Sequence, residues 1–256
     1  MIDSHAHLTD RRISPVVLDV RSGYLKSGIT TVLDVGCSVS SSLLAKQNAE
    51  SFSEVYFTAG CHPDDAGSVN ATTLLQIKEL SSHKKCLAIG EIGLDYHYLN
   101  FDKAVQKNAF ISQLQIAVEV QKPVVIHTRD ACKDTVDILT DFAPKLKGFI
   151  MHCYSESKET AKTLLNLGAY FSFGGPCTFK NARKVVESVR EIPMDRILSE
   201  TDCPFLTPEP YRGQFPNEPK NIPHIVKRIA EIKGVSQEQM QEQIYENAKR
   251  LFFKLR

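Results

Sequence analysis

An α/β fold, a (β/α)8 TIM barrel built by residues 1–256 as one domain, is the architecture the sequence predicts. Three observations lead there. Eight short apolar runs have strand length, segments with helical spacing lie between them, and metal-binding residue types stand at or near the ends of five runs. Near-continuous apolar runs, without polar alternation, are what parallel strands covered by helices require. Strand and helix alternating eight times in this length describes the barrel, whose sites form at the carboxyl ends of its strands. A doubly wound open sheet would gather its ligands at one switch point.

Taken in order, the expected strands are 1–3, 30–35, 55–60, 86–89, 123–126, 148–151, 169–173 and 197–199. Helical spacing marks 43–44, 73–80, 104–120, 132–142, 157–167 and 181–191, with Gly168 and Pro193 as stops. Residues 204–223 hold six of the twelve prolines and follow the last run, so an ordered rim is expected there, not a hinge. Ser236-Gln237-Glu238-Gln239 reads as a capping box, with Val235 and Met240 as a hydrophobic staple. Met240, Ile244, Ala248, Leu251 and Phe252 then form the apolar stripe of a packing helix.

Composition narrows the class. The 256 residues are 42% hydrophobic and 24% charged, with a formal charge of +1, so neither a nucleic-acid coat nor a membrane-surface protein is indicated. The seven cysteines are odd in number and form no Cys-x-x-Cys pair, which suits reduced thiols in a cytoplasmic chain. Cys61, Cys153 and Cys203 neighbour site candidates and are expected to face the helix–sheet layer. No signal peptide is expected, and no run approaches the roughly 18 apolar residues of a membrane helix.

The residues at the run ends carry the chemistry. His5 and His7, at i and i+2, share one face of a strand. Glu91, His127, His152 and Asp202 each follow a later apolar run. Any one of them alone could be a packed or capping residue, but five strand ends converging on one barrel mouth point to a divalent-metal site. Six ligands exceed one tetrahedral zinc. Two ions (Zn, Mg or Mn) are therefore expected, with Glu91 bridging, His5 and His7 on one, and His127 and His152 on the other. Asp202 would hold a water and take its proton.

These blocks resemble the TatD family of metal-dependent hydrolases, within the amidohydrolase-like barrels. The resemblance spans nearly the whole chain: Asp3-Ser4-His5-Ala6-His7-Leu8, Gly60-Cys61-His62-Pro63, Gly90-Glu91-Ile92-Gly93-Leu94-Asp95-Tyr96, residues 123–129, His152-Cys153-Tyr154-Ser155, Thr178-Phe179-Lys180-Asn181-Ala182, residues 200–206, Arg212-Gly213 and Asn217-Glu218-Pro219. It implies the same six metal ligands and a deoxyribonuclease acting 3′ to 5′ on single-stranded DNA, with no membrane and no obligate protein partner. Glu91 stands where related barrels often place a carbamylated lysine. Tyr154-Ser155-Glu156 departs from the family's usual pattern, and Glu156 adds a negative charge unfavourable to a polyanion.

His62, Arg129 and Arg212 are expected substrate contacts, with Lys180 and Arg183 weaker candidates. Tyr96, Tyr98, Phe101 and Tyr154 are available as base-stacking platforms. Two other functions compete. The same metals would serve attack at an ester or amide carbon, as in aminoacyl-tRNA deacylation, and a non-enzymatic metal-binding scaffold would also keep the ligands.

Overall fold

A computed structural model describes residues 1–97 and 102–253. Eight parallel strands stand in sequence order: β1 (Ile2–Ala6), β2 (Thr31–Asp34), β3 (Val55–Ala59), β4 (Cys86–Asp95), β5 (Val124–Arg129), β6 (Phe149–Met151), β7 (Tyr170–Phe173) and β8 (Ile197–Ser199). Around them run α1 (Val17–Lys26), α2 (Val39–Ser51), α3 (Ala71–Ser81), α4 (Lys103–Val120), α5 (Cys132–Phe142), α6 (Lys158–Asn166), α7 (Arg183–Glu191), α8 (Ile222–Lys233) and α9 (Gln237–Ala248). The barrel closes where Ala6 bridges Cys203, with Asp202 N–H donating to His5 O and His7 N–H to Cys203 O. Closure thus sets the first histidines beside Asp202.

Local chemistry explains the helix starts. Ser38 and Ser236 each make a capping box, and Asn70, Asp102 and Ser157 accept backbone N–H groups at their helix starts. The α9 stripe, Met240 to Phe252, is buried against the barrel. The rim after β8 is pinned by buried Asn217, which donates to Thr201 O and Phe205 O. No described helix is long and apolar enough to cross a membrane.

Strand β4 departs from the expected 86–89. It continues through Glu91 to Asp95, with its register against β5 shifted between Ile89 and Ile92. At that irregularity Glu91 N–H leaves the ladder and donates to Gly36 O at 2.7 Å. Gly93, at φ +148°, pairs with His127, and a Cβ there would stand 2.0 Å from His127 O. Gly93→Ala should therefore cost about 3 kcal/mol and shift β5 away from β4. Urea unfolding would measure the loss, and an unchanged midpoint would refute it.

Candidate metal centre

Five strand ends bring six side chains together. β1 supplies His5, and His7 follows two residues on, their Nε2 atoms 3.2 Å apart. β5 supplies His127, and His152 stands just past β6, with His127 Nδ1 3.2 Å from His152 Nε2. The rings of His5 and His152 stack with centroids 4.0 Å apart. Glu91, buried in the β4 irregularity, stands between the pairs. Its Oε2 lies 3.3 Å from His5 Nε2 and 3.8 Å from His7 Nε2. Its Oε1 lies 2.8 Å from His127 Nδ1 and 2.9 Å from His152 Nε2. Asp202 Oδ1 completes the first group, 3.3 Å from His7 Nε2 and 3.8 Å from His5 Nε2. Asp202 has φ +56°, a left-handed conformation that aspartate tolerates better than most residues.

The ring tautomers show what these groups turn toward one another. His7 Nδ1 lies 3.1 Å from Val35 O, an acceptor only, so its proton sits there and Nε2 offers a lone pair inward. His127 Nε2 lies 3.0 Å from Asp95 Oδ2, so its Nδ1 lone pair faces Glu91 Oε1. With neutral rings, acceptors face acceptors, and only protons or cations can occupy the space between them. Tetrahedral coordination at about 2.0–2.1 Å places donor atoms roughly 3.4 Å apart. The separations of 3.2–3.8 Å around Glu91 Oε2 suit that spacing. The donor set around Glu91 Oε2 therefore fits a divalent ion, while the donors at Oε1 stand closer together, at 2.8–3.2 Å.

Electrostatics point the same way. Burial works against charge throughout, yet Glu91 is held well below the usual carboxylate range by His152 and His5. Asp202 is likewise lowered, burial notwithstanding, by its hydrogen bond with His7 and by the neighbouring imidazoles. Burial would lower His7 and His152, but Cys37 and Asp202 hold the first, and Glu91 and Glu200 the second, well above 6.5. His127 is raised against burial by Asp95 and Glu91. His5 is lowered by burial and by His152. Protons on the three raised rings would have to leave before a cation could enter. Metal affinity should therefore rise with pH across the neutral range, by about tenfold per unit for each proton displaced. Titration calorimetry in buffers of different ionisation enthalpy would count the released protons. A pH-independent affinity would contradict the raised imidazoles of His7, His152 and His127.

Three supporting groups escaped the sequence reading. Asp95 orients His127, and buried Glu200 faces His152 Nδ1 at 3.5 Å while accepting from Cys153 N–H and Ser172 Oγ–H. Cys37 Sγ stands 3.6 Å from both His7 Nδ1 and Glu91 Oε2. The sequence marks their positions but not their pairings: Asp95 stands four residues past Glu91, Glu200 two before Asp202, and Cys37 follows the second apolar run. Asp95→Asn should weaken metal binding about 10- to 100-fold by freeing the His127 ring. Competition with a fluorescent chelator would read that loss, and unaltered affinity would remove Asp95 from its role.

The other sequence candidates are placed as follows. A cleft of about 470 Å3 opens onto the cluster, and His62 and Arg129 line it. His62 accepts from Asp64 N–H through Nδ1, which turns Nε2–H toward Glu91 Oε1, 3.6 Å away. Burial pushes its imidazole down to about 4, so it is a neutral donor. Arg212 is exposed, with its guanidinium 3.9 Å from the Phe179 ring, and does not line the cleft. Arg183 opens α7, its Nε donating to Glu187. Tyr154 is corrected: it is buried between Phe171 and Phe173 with its hydroxyl donating to Ser157 O, so no base can stack there. Tyr96 is half-buried and bonded to Asp134, while Tyr98 and Phe101 lie outside the described residues. Glu156 pairs with Lys184 at 3.2 Å, which offsets its charge. Cys61 and Cys203 are buried, and Cys153 is half-buried with φ +44°.

Comparison with known proteins adds lineage to geometry. The family model described as TatD related DNase matches residues 2–253. The chain is 42% identical over 252 residues to the uncharacterized metal-dependent hydrolase YabD of Bacillus subtilis (strain 168), covering 98% of each chain. It is 32% identical over 238 residues to the 3′-5′ ssDNA/RNA exonuclease TatD of Shigella flexneri serotype 5b, covering 91% of this chain and 92% of that one. The crystal structure of YjjV, a TatD homologue from Escherichia coli K12, has the same fold, with a TM-score of 0.93 at 23% identity over 99% and 98% of the two chains.

Proposed function

The chain belongs to the family of TatD-related DNases, and from that premise we propose that this metal-dependent hydrolase is a phosphodiesterase, a 3′–5′ exonuclease on single-stranded DNA. The observation that carries the reading is Glu91, a buried carboxylate with imidazoles gathered at each of its two oxygens. Two ions are proposed: His5, His7 and Asp202 would hold one, His127 and His152 the other, with Glu91 shared between them. Bound there, divalent ions would stabilise charge on a phosphoryl group and lower the pKa of water. Imidazoles favour Zn or Mn, and phosphoryl transfer often runs on Mg or Mn. Asp202, whose carboxyl the surrounding imidazoles hold below its ordinary value, would accept the proton of the attacking water. His62 Nε2–H donates to a phosphate oxygen at the open side, and Arg129 lends positive charge at the rim. Support for DNA comes from the family description and from the activity named for the Shigella relative.

The test is a time course on 5′-labelled single-stranded DNA, with Mg, Mn or Zn returned to chelated protein. Stepwise shortening that requires the ion and disappears in His127→Ala is the expected result. Full metal binding with no cleavage would overturn the phosphodiesterase reading and favour an ester or amide carbon.

A further inference from the structure

Phe205 is an exposed aromatic on an otherwise pinned rim. It is 41% exposed, lines the cleft beside Asp202, and its ring lies 6.4 Å from that of His7. Behind it stands Arg12, from the loop after β1, with its guanidinium carbon 4.6 Å from the Phe205 centroid and 5.2 Å from that of Phe215. Phe215 is 59% exposed on the same rim. Arg12 is held by Asp10 through two hydrogen bonds of 2.6 Å, which commit its charge. It is therefore a braced planar layer between two rings and a poor phosphate clamp. Two loops far apart in sequence converge to build this stack.

The cleft's charge makes the stack matter. Among the described residues lining it are six carboxylates and one arginine, Arg129. Asp10 is bound to Arg12, and Glu91, Asp95 and Asp202 face imidazoles, so Asp64 and Asp65 stand at the cleft with Arg129. A polyanion lying along such walls gains little from its backbone beyond the ions themselves. Base stacking is the remaining source of grip, and it depends on a ring face near the reacting phosphate.

We propose that Phe205, braced by Arg12 and Phe215, is a stacking seat for the nucleobase beside the phosphodiester that is cut. The enzyme then holds a chain end by its base, with no track of phosphate contacts. This rests on the phosphodiesterase reading above.

Full-length metal-loaded protein would be given oligodeoxynucleotides ending in thymidine or in an abasic residue at the end it attacks. Wild type should cleave the thymidine end with a kcat/KM roughly 5- to 150-fold above the abasic end. Phe205→Leu keeps an apolar side chain but has no ring, and should bring the ratio toward one with the abasic rate unchanged. Phe205→Trp should preserve the preference. Metal content and thermal melting of each variant confirm that the site is intact. Equal wild-type rates on both ends, or a preference that survives in Phe205→Leu, would overturn the seat and leave the nuclease reading standing. No cleavage of either DNA by wild type would overturn that reading, and the seat with it.

Discussion

Glu91→Gln is expected to abolish hydrolysis, by on the order of 10⁴-fold, and to release both metal equivalents together. The substitution preserves shape, so the cause is charge. Both Glu91 oxygens face imidazole nitrogens at 2.8–3.8 Å, and an amide presents one weakly coordinating oxygen and one NH2 group in their place. The N–H would point at lone pairs on one side, and the neutral group no longer balances a cation on either. A change on one side alone behaves differently. His127→Ala removes a donor from the Oε1 group and leaves the Oε2 group of His5, His7 and Asp202 complete. Metal analysis after dialysis should therefore read near zero equivalents for Glu91→Gln and about one for His127→Ala. Two equivalents and full chelator-sensitive activity in Glu91→Gln would remove Glu91 from the centre of the site.

How much of this was legible depends on what each element shows to a reader of hydrophobicity. The eight strands were visible because parallel strands inside a helical ring are apolar on both faces, and α5 was placed at 132–142 because its apolar spacing is regular. Strand β4 was cut short at 89 because its last half carries Glu91, Gly93 and Asp95, residues that end an apolar run without ending the hydrogen-bond ladder. Helix α1 was missed because Leu18 and Leu25 are exposed and blur its face. Helix α8 was missed for another reason: Pro219 and Pro223 read as rim, although proline is tolerated in a first helical turn. The six ligand-type residues could be grouped because they stand at or near the ends of five apolar runs and the barrel gives all strand ends one destination. Their partners could not, since pairing His127 with Asp95, or setting Phe205 over Arg12, depends on side-chain directions that no spacing encodes.

Asp202→Asn should separate the chemistry from the metal. Asparagine keeps the side-chain oxygen that faces His5 and His7, and it is among the few residues that accept the left-handed backbone found here, so the closing bond from residue 202 N–H to His5 O survives. What disappears is a base. Wild-type Asp202 is kept ionised by its hydrogen bond with His7, against the pull of burial, and so can take a proton at neutral pH. Loss of a positioned base costs about 10²- to 10⁴-fold. That loss should appear in kcat, with KM and metal content close to wild type. The pH profile supplies the second readout: the acid limb belonging to the lowered carboxylate should vanish, leaving a slow rate that follows hydroxide. Retention of the wild-type rate would move the base elsewhere in the cleft. Loss of metal along with rate would make Asp202 a holder of the ion first, and the two outcomes differ in a single metal assay.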